Sequence, residues 1–401
     1  MKILMLGWEL PPHNSGGLGI ACYQLCKTLA RLNVDIEFVL PYKADHQINF
    51  MKVTAAIPEN VRSVGFIEKA YDSRRYLFDD DNEEWVDVGE QHRLYELAVA
   101  KMADSREFDI VHAHDWLTFR AALRLKEKKG CPIILHVHSI ESDRAGNQQG
   151  NPLVHEIEET ALHLADQVIA VSEQTKQAII RDYGLPPEAI EVVHNSIDVS
   201  ELAALDQDNA YHYLEVLKSL GYRVVTSVGR LTIQKGLPNL LQSMKKVIEK
   251  VPKTMLLIVG SGEDQHQLME LAAEIGIGAN VLFVDFQRGK TWRDAFAIGD
   301  LFVLPSVAEP FGLTPLESIN YGTPPLVSRQ SGVSEVLSNV LKVDYWDIDE
   351  MANQIASVMM NDVLRDELQR NASAELAKLS WNKSSDKLLN IYNQHLAGAP
   401  A

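Results

Sequence analysis

Short apolar runs alternate with amphipathic helical stretches, and the chain does this twice. In the first half, Lys2 to Leu6, Val34 to Leu40, Ile110 to Ala113, Ile133 to Val137 and Val168 to Val171 read as buried strands, and Leu18 to Leu32 reads as a helix. Near His194-Asn195-Ser196-Ile197-Asp198 the pattern pauses. It restarts with a helix at Tyr211 to Leu220 and strands at Val224 to Gly229, Met255 to Val259, Val281 to Val284 and Leu301 to Leu304. Helices at Leu237 to Lys250, Gln265 to Ile275 and Trp292 to Ile298 space these strands. Such spacing builds parallel, doubly wound α/β sheets, because each parallel strand needs a crossover to bring the chain back. At 401 residues the chain is too long for one ordinary core. Two Rossmann-like domains are expected, residues 1–198 and 199–381, followed by a last helix within 382–401. Two such domains side by side leave a cleft at their strand ends, the usual place for a site. No sequence repeat links the halves; only the architecture recurs.

Composition narrows the function classes. A net charge of −17 argues against nucleic acid and anionic lipid as main partners. No apolar run approaches the roughly 18 to 20 residues of a membrane span, and Glu9 interrupts the opening apolar run before it could serve as a signal-peptide core. Cys22, Cys26 and Cys131 lack disulfide or metal spacing, so a reducing, cytoplasmic setting is the plain reading. Tyr71 to Glu90 breaks the alternation and crowds Asp79, Asp80, Asp81, Glu83 and Glu84 together. It reads as an irregular, solvated acidic loop, with a divalent-metal role the alternative.

The chemistry concentrates in Ala308-Glu309-Pro310-Phe311-Gly312-Leu313-Thr314-Pro315-Leu316-Glu317. This stretch leaves a buried strand and opens a helix that ends at Gly322, so backbone N–H groups gather at a positive helix end and suit an anion. Glu309 precedes Pro310, which holds it out of helical geometry. Glu317 has two readings of equal weight: a ligand-binding carboxylate, or part of a Thr-x-x-Glu capping box with Pro315 at the first helical position. Arg230 and Lys235 flank a turn after a strand and could clamp a diphosphate, or be two surface cations. Gly260-Ser261-Gly262 resembles a phosphate loop, as any tight strand-to-helix turn does. In the first half, Asn14-Ser15-Gly16-Gly17-Leu18-Gly19 would let backbone approach a ligand. His112 and His114 share one side of a strand, and His136 and His138 close another. A zinc site is imaginable there, but no third ligand stands at a recognisable spacing.

Taken together, these segments resemble the family 4 retaining glycosyltransferases, whose GT-B fold has two Rossmann-like domains. The resemblance covers nearly the whole chain. It rests on Gly16-Gly17-Leu18-Gly19, His112-Ala113-His114-Asp115-Trp116, the turn from Val228 to Gly236, and Glu309 with Glu317, in the family's order. The first half looks most like the glycogen/starch-synthase side of the family. The resemblance implies a nucleotide diphosphate sugar as donor, a carbohydrate or glucan acceptor, and no metal or other cofactor. Arg230 and Lys235 would then bind the diphosphate, and Glu309 would face the transferred sugar. Backbone N–H groups of Phe311, Gly312 and Leu313 would hold sugar hydroxyls and phosphate, and Glu317 the ribose. Gly16 and Gly17 would approach the phosphates, His138 would sit by the reacting carbon, and Asp115 and His114 would lie on the acceptor side. The terminal helix would cross back to the first domain.

Three departures from the family pattern stand out: Ser196 after Asn195, one glycine in Ser331-Gly332-Val333-Ser334-Glu335, and Asp285 after the strand near the base. The implied reaction moves a hexosyl unit, with glucosyl favoured, with retention and same-face attack. A sugar-nucleotide epimerase and a non-catalytic nucleotide-sugar-binding protein are the alternatives. Residues 1–200 carry 20 Lys+Arg against 31 Asp+Glu, a net of −11 that disfavours a lipid acceptor.

Overall fold

The computed structural model of the chain describes residues 1–14, 16–65, 73–146 and 149–397. Ser15 and Tyr71, both named above, lie outside the described residues. Its contacts divide the chain into two units. The first takes Met1–Glu141, Gly150–Ser196 and Trp381–Ala401; the second takes Ser142–Gln149 and Ile197–Ser380.

In the first unit, β1 (Lys2–Leu6), β2 (Asp35–Leu40) and β3 (Lys52–Ala55) precede a small insertion of β4 (Val61–Val64), β5 (Arg74–Phe78) and β6 (Glu83–Val86). Then come β7 (Ile110–His114), β8 (Ile133–Val137), β9 (Gln167–Ala170) and β10 (Ile190–Val192). The main sheet has seven strands in the order β10-β9-β8-β7-β1-β2-β3, every pair parallel. β7 and β8 are buried along their whole length, so they read as continuous runs rather than as alternating strands. The reversal of order about β1 makes the carboxyl ends near β1 and β7 a topological switch point.

The insertion corrects the irregular loop expected at Tyr71 to Glu90. β4, β5 and β6 form an antiparallel sheet, turned at Asp81 with φ 61°. Its acidic run is partly answered by arginines, Arg62 to Asp81 at 2.7 Å and Arg75 to Glu83 at 3.1 Å. These exposed pairs contribute little to stability. The terminal helix, Trp381–Ala397, buries Trp381, Leu388, Ile391 and Tyr392 in the core that the first helix, Gly17–Arg31, also lines. The Ser384 hydroxyl donates to the His194 carbonyl at 2.6 Å. Cys22 and Cys26 are free thiols buried in that same core.

The second unit carries β11 (Arg223–Val228), β12 (Thr254–Val259), β13 (Val281–Val284), β14 (Leu301–Leu304), β15 (Pro325–Ser328) and β16 (Leu341–Val343). They form a six-stranded sheet in the order β13-β12-β11-β14-β15-β16, again all parallel. The order reverses at the β11–β14 pair, so the loops leaving these two strands flank this sheet's switch point. Among the described residues no helix is long and apolar enough to cross a membrane.

Candidate functional site

Two loops of the second unit bring the expected site residues together. β11 leads into Gly229-Arg230-Leu231, then a single 3₁₀ turn at Ile233–Lys235. Gly236 closes that turn at φ 63°, and a Cβ there would stand 2.1 Å from the Pro305 carbonyl oxygen, so only glycine fits. That close approach, with Val307 N–H on the Gln234 carbonyl at 2.9 Å, delivers Lys235 to the loop after β14. There Lys235 Nζ donates to Glu309 Oε2 at 2.5 Å, with side chains only 17% and 11% exposed. The buried Ser306 hydroxyl donates to the same oxygen at 3.0 Å. Glu309 is fixed from behind as well. Its N–H donates to the Gln330 carbonyl and its carbonyl accepts from Gly332 N–H, both at 2.9 Å. The single glycine of the late turn, Gly332, therefore anchors Glu309.

Arg230 differs from Lys235. It is exposed and forms no ion pair or hydrogen bond among the described residues. Gly260 and Gly262 prove to be packing glycines: a Cβ would lie 1.8 Å from the Gly229 carbonyl and 2.1 Å from the Leu231 carbonyl. They seat the Arg230 loop rather than cradle a phosphate themselves.

Past Glu309 the chain turns at Gly312, φ 95°, into the helix Thr314–Asn320. The N–H groups of Gly312, Leu313 and Thr314 donate no hydrogen bond among the described residues. Phe311 is buried, and its carbonyl accepts from Val333 N–H at 2.7 Å. The capping-box reading of Glu317 fails here. The helix is preceded by Leu313 in helical geometry, with no side-chain cap. Glu317 is half-buried, and its carboxyl meets neither cation nor donor among the described residues. Desolvation pushes it up to about 8. An unpaired carboxyl at a helix start, protonated at neutral pH, offers ligand hydroxyls one donor and one acceptor.

In the first unit, Gly16 has an extended φ of −163° and Gly17 opens the first helix. The N–H groups of Gly17 and Leu18 have no partner among the described residues. A Cβ on Gly19 would lie 2.7 Å from Asn14 Cβ, so this glycine is needed for packing, whereas Gly16 has open space around it.

The acceptor-side roles expected of Asp115 and His114 do not match their placement. Asp115 is 3% exposed, at φ 59°, and its Oδ1 accepts from the N–H groups of His138 at 2.6 Å and Ser139 at 3.2 Å. It shapes the loop that carries His138. His114 is wholly buried.

Four histidines form an array that the sequence only half suggested. His112 and His114 on β7 stack at 4.5 Å between ring centres, as do His136 and His138 across β8 and its end. Between the strands, His112 Nε2 lies 3.3 Å from His136 Nδ1, and His114 Nδ1 lies 3.0 Å from His138 Nε2. Third ligand-type side chains therefore do exist, correcting the earlier expectation: the ligand atoms of His112, His114 and His136, and of Cys22, His114 and His138, gather within 4.8 Å. The nitrogens, however, are already shared pairwise and the ring planes are near-parallel, 11° for His112 and His136. A metal needs lone pairs that converge on one point.

Burial drives all four histidines towards neutrality, and neighbouring imidazoles add to it for His112, His114 and His136. His112 and His138 fall to about 3, and His114 and His136 fall well below the usual value. Neutral rings have definite tautomers. His114 Nε2 lies 3.5 Å from Met5 Sδ, which accepts and never donates, so Nε2 carries the hydrogen. His114 Nδ1 then accepts from His138 Nε2. His138, half-buried, is left with a bare Nδ1 that has no partner among the described residues. It can accept a hydroxyl hydrogen.

Comparison with known proteins agrees with this architecture. Residues 15–201 match the family model "Glycosyltransferase Family 4", and residues 215–375 match "Glycosyl transferases group 1". An uncharacterised glycosyltransferase of Methanocaldococcus jannaschii is 27% identical over 98% of both chains. A glycogen synthase of Mycobacterium tuberculosis is 27% identical over 84% of this chain and 80% of its own. A D-inositol 3-phosphate glycosyltransferase of Salinispora tropica is 26% identical over 96% and 82%. Among solved structures, sucrose-phosphate synthase from Thermosynechococcus elongatus shares the fold, with a TM-score of 0.77 at 18% identity over 99% of this chain and all of that one. Anabaena HepE in complex with UDP and glucose follows at 0.71 and 19%, over 98% of this chain and all of that one. The chain belongs to the family 4 glycosyltransferases, with the GT-B fold of two parallel-sheet α/β domains.

Proposed function

We propose that the protein transfers a hexosyl unit, glucosyl first among the candidates, from a nucleotide diphosphate sugar to a carbohydrate hydroxyl, with retention and without a metal or resident cofactor. One observation carries this reading. At the carboxyl ends of the adjacent strands β11 and β14 lie an unpaired Arg230, the Lys235–Glu309 pair, and three unused N–H groups at Gly312, Leu313 and Thr314. Breaking the sugar–phosphate bond leaves a diphosphate of growing negative charge, and preorganised cations and N–H donors stabilise that charge as it forms. Losing one of them costs about a hundredfold in rate.

Glu309 acts in this scheme as an ionised anchor. Its Oε2 is held by Lys235 and Ser306, which leaves Oε1 to accept a sugar hydroxyl. Glu317 takes ribose hydroxyls. In the first unit, Gly17 N–H and His138 Nδ1 are the groups open to substrate, one donating and one accepting. Retention follows if the departing phosphate takes the acceptor's proton on the same face. Glucose as the sugar is supported by the glycogen-synthase relative, and the metal-free reading by cations already standing where a metal would neutralise the diphosphate.

The test is product analysis with ADP-, UDP- and GDP-glucose, carbohydrate acceptors and excess EDTA. The proposal expects a new glycoside whose anomeric proton coupling matches the donor's. An inverted anomer overturns retention. Activity abolished by EDTA and restored by a divalent ion overturns metal independence. Interconverted sugar nucleotide without nucleotide release would mean an epimerase, and tight binding without turnover a binding protein.

A further inference from the structure

Arg74 opens β5 and is only 5% exposed. Its Cζ lies 5.3 Å from the centre of the Trp8 ring and 5.5 Å from that of Tyr42. Trp8 follows β1 and Tyr42 follows β2, so the guanidinium lies at the carboxyl ends of two adjacent parallel strands. That end of an open α/β sheet is where ligands bind.

Placement over aromatic rings engages the faces of a guanidinium and leaves its N–H edges to find acceptors. Here they find none. Nε and Nη1 are shut off from solvent without a hydrogen-bond partner, and Arg74 forms no ion pair among the described residues. Glu9, whose charge acts on Arg74 from beyond ion-pair range, has Oε1 on the Gly19 N–H at 3.2 Å. The Tyr42 hydroxyl accepts from Leu10 N–H at 3.2 Å. A buried cation whose hydrogen bonds go unmade is costly, and a chain keeps one where an acceptor arrives from outside.

We propose that Arg74 recognises an anionic group on the acceptor, a phosphate monoester or a carboxylate, whose oxygens take the hydrogens of Nε and Nη1. The acceptor is then an acidic sugar or polyol rather than a neutral glucan. This rests on the transferase reading, in which the donor's diphosphate already has Arg230 and Lys235 on the other unit. An anion bound at Arg74 therefore belongs to the second substrate.

The experiment is calorimetric titration of the full chain, wild type and Arg74→Gln, at fixed ionic strength. The probes are inorganic phosphate, glucose 6-phosphate, inositol 1-phosphate and glucuronate, each set against neutral glucose and inositol. One charged series is expected to bind the wild type at least tenfold more tightly than its neutral parent. Arg74→Gln should lose about 10- to 100-fold of that preference. Whether phosphate esters or the carboxylate respond identifies the group.

Equal response to charged and neutral probes, or none to either, overturns the inference, as does a preference that survives Arg74→Gln. Melting temperature separates a merely structural cation–π pin. Loss of an unanswered buried charge should hold or raise Tm, whereas a fall in Tm with anion preference intact contradicts the proposal. ADP and UDP titrated into the same samples keep the two readings apart. Nucleotide binding without anion preference defeats this inference alone; absence of nucleotide binding defeats the transferase reading beneath it.

Discussion

Acid should unfold the first unit by forcing protons onto its histidine array. His112, His114 and His136 are each 0% exposed, and burial lowers all three from the ordinary 6.5. A histidine whose folded value is lowered stays neutral in the fold, while the unfolded chain takes up the proton below about 6.5. Stability is therefore full above that pH and falls as pH drops towards the folded value. Between pH 7 and pH 5 each such group costs about 2 kcal/mol, and three cost about 6 kcal/mol. Domains of ordinary stability have about 5 to 15 kcal/mol in all. His136→Gln removes one proton-binding site from this balance. The difference in unfolding free energy between pH 7 and pH 5 should then shrink by about 2 kcal/mol, whatever the variant costs at pH 7. Urea unfolding at the two pH values, followed by far-UV circular dichroism, measures that difference. An unchanged difference in His136→Gln would refute the claim that the array is held neutral by burial.

Three further outcomes follow from the site. Gly312→Ala places a Cβ at φ 95°, 3.1 Å from Glu309 Cγ and 3.2 Å from Leu304 Cδ2. The strain of about 1 to 2 kcal/mol should raise the donor KM by about tenfold, and an unaltered KM would count against the N–H groups at 312–314. Glu317, raised to about 8, keeps its proton in the fold while the unfolded chain loses it above the ordinary 4.5, so wild-type stability is lost as pH rises between these values. Glu317→Gln should therefore gain Tm on the wild type from pH 5 to pH 8 while binding nucleotide more weakly. A Tm difference constant with pH contradicts this. Nitrogen-15 spectra should show His138 with Nε2 protonated and Nδ1 bare, and Met5→Leu should mix the tautomers. A wild-type His138 protonated at Nδ1 would sink the assignment.

Much of the fold was legible because its strands are long, apolar and spaced by helices. β1, β8 and β12 were visible as continuous apolar runs. What escaped were the edge strands β3, β10 and β16, three or four apolar-poor or half-buried residues each, and the four-residue buried strand β15. The insertion β4 to β6 escaped too, because β6 is exposed and acidic and carries no apolar run. At the site, the glycines, Arg230, Lys235 and Glu309 could be named from their place after strands. Their pairing could not: nothing local in the sequence tells that Lys235 reaches Glu309 across 74 positions, or that Ser306 shares that carboxylate. Glu317 misled because Thr-x-x-Glu is a capping signature, and only the backbone at Leu313 shows the helix capped otherwise. The histidines on β7 and β8 were visible as alternating pairs. That the two pairs face each other depends on β7 and β8 being neighbours in register, His114 opposite His136.

The central claim is that the loops after β11 and β14 take the diphosphate of a sugar nucleotide and assist its departure. The most direct measurement is nucleotide release from ADP-, UDP- and GDP-glucose by the wild type, Arg230→Ala and Lys235→Ala, each checked for an unchanged circular dichroism spectrum. Release from one donor that falls about a hundredfold in either variant is the predicted result. Release at the wild-type rate in both variants would contradict it.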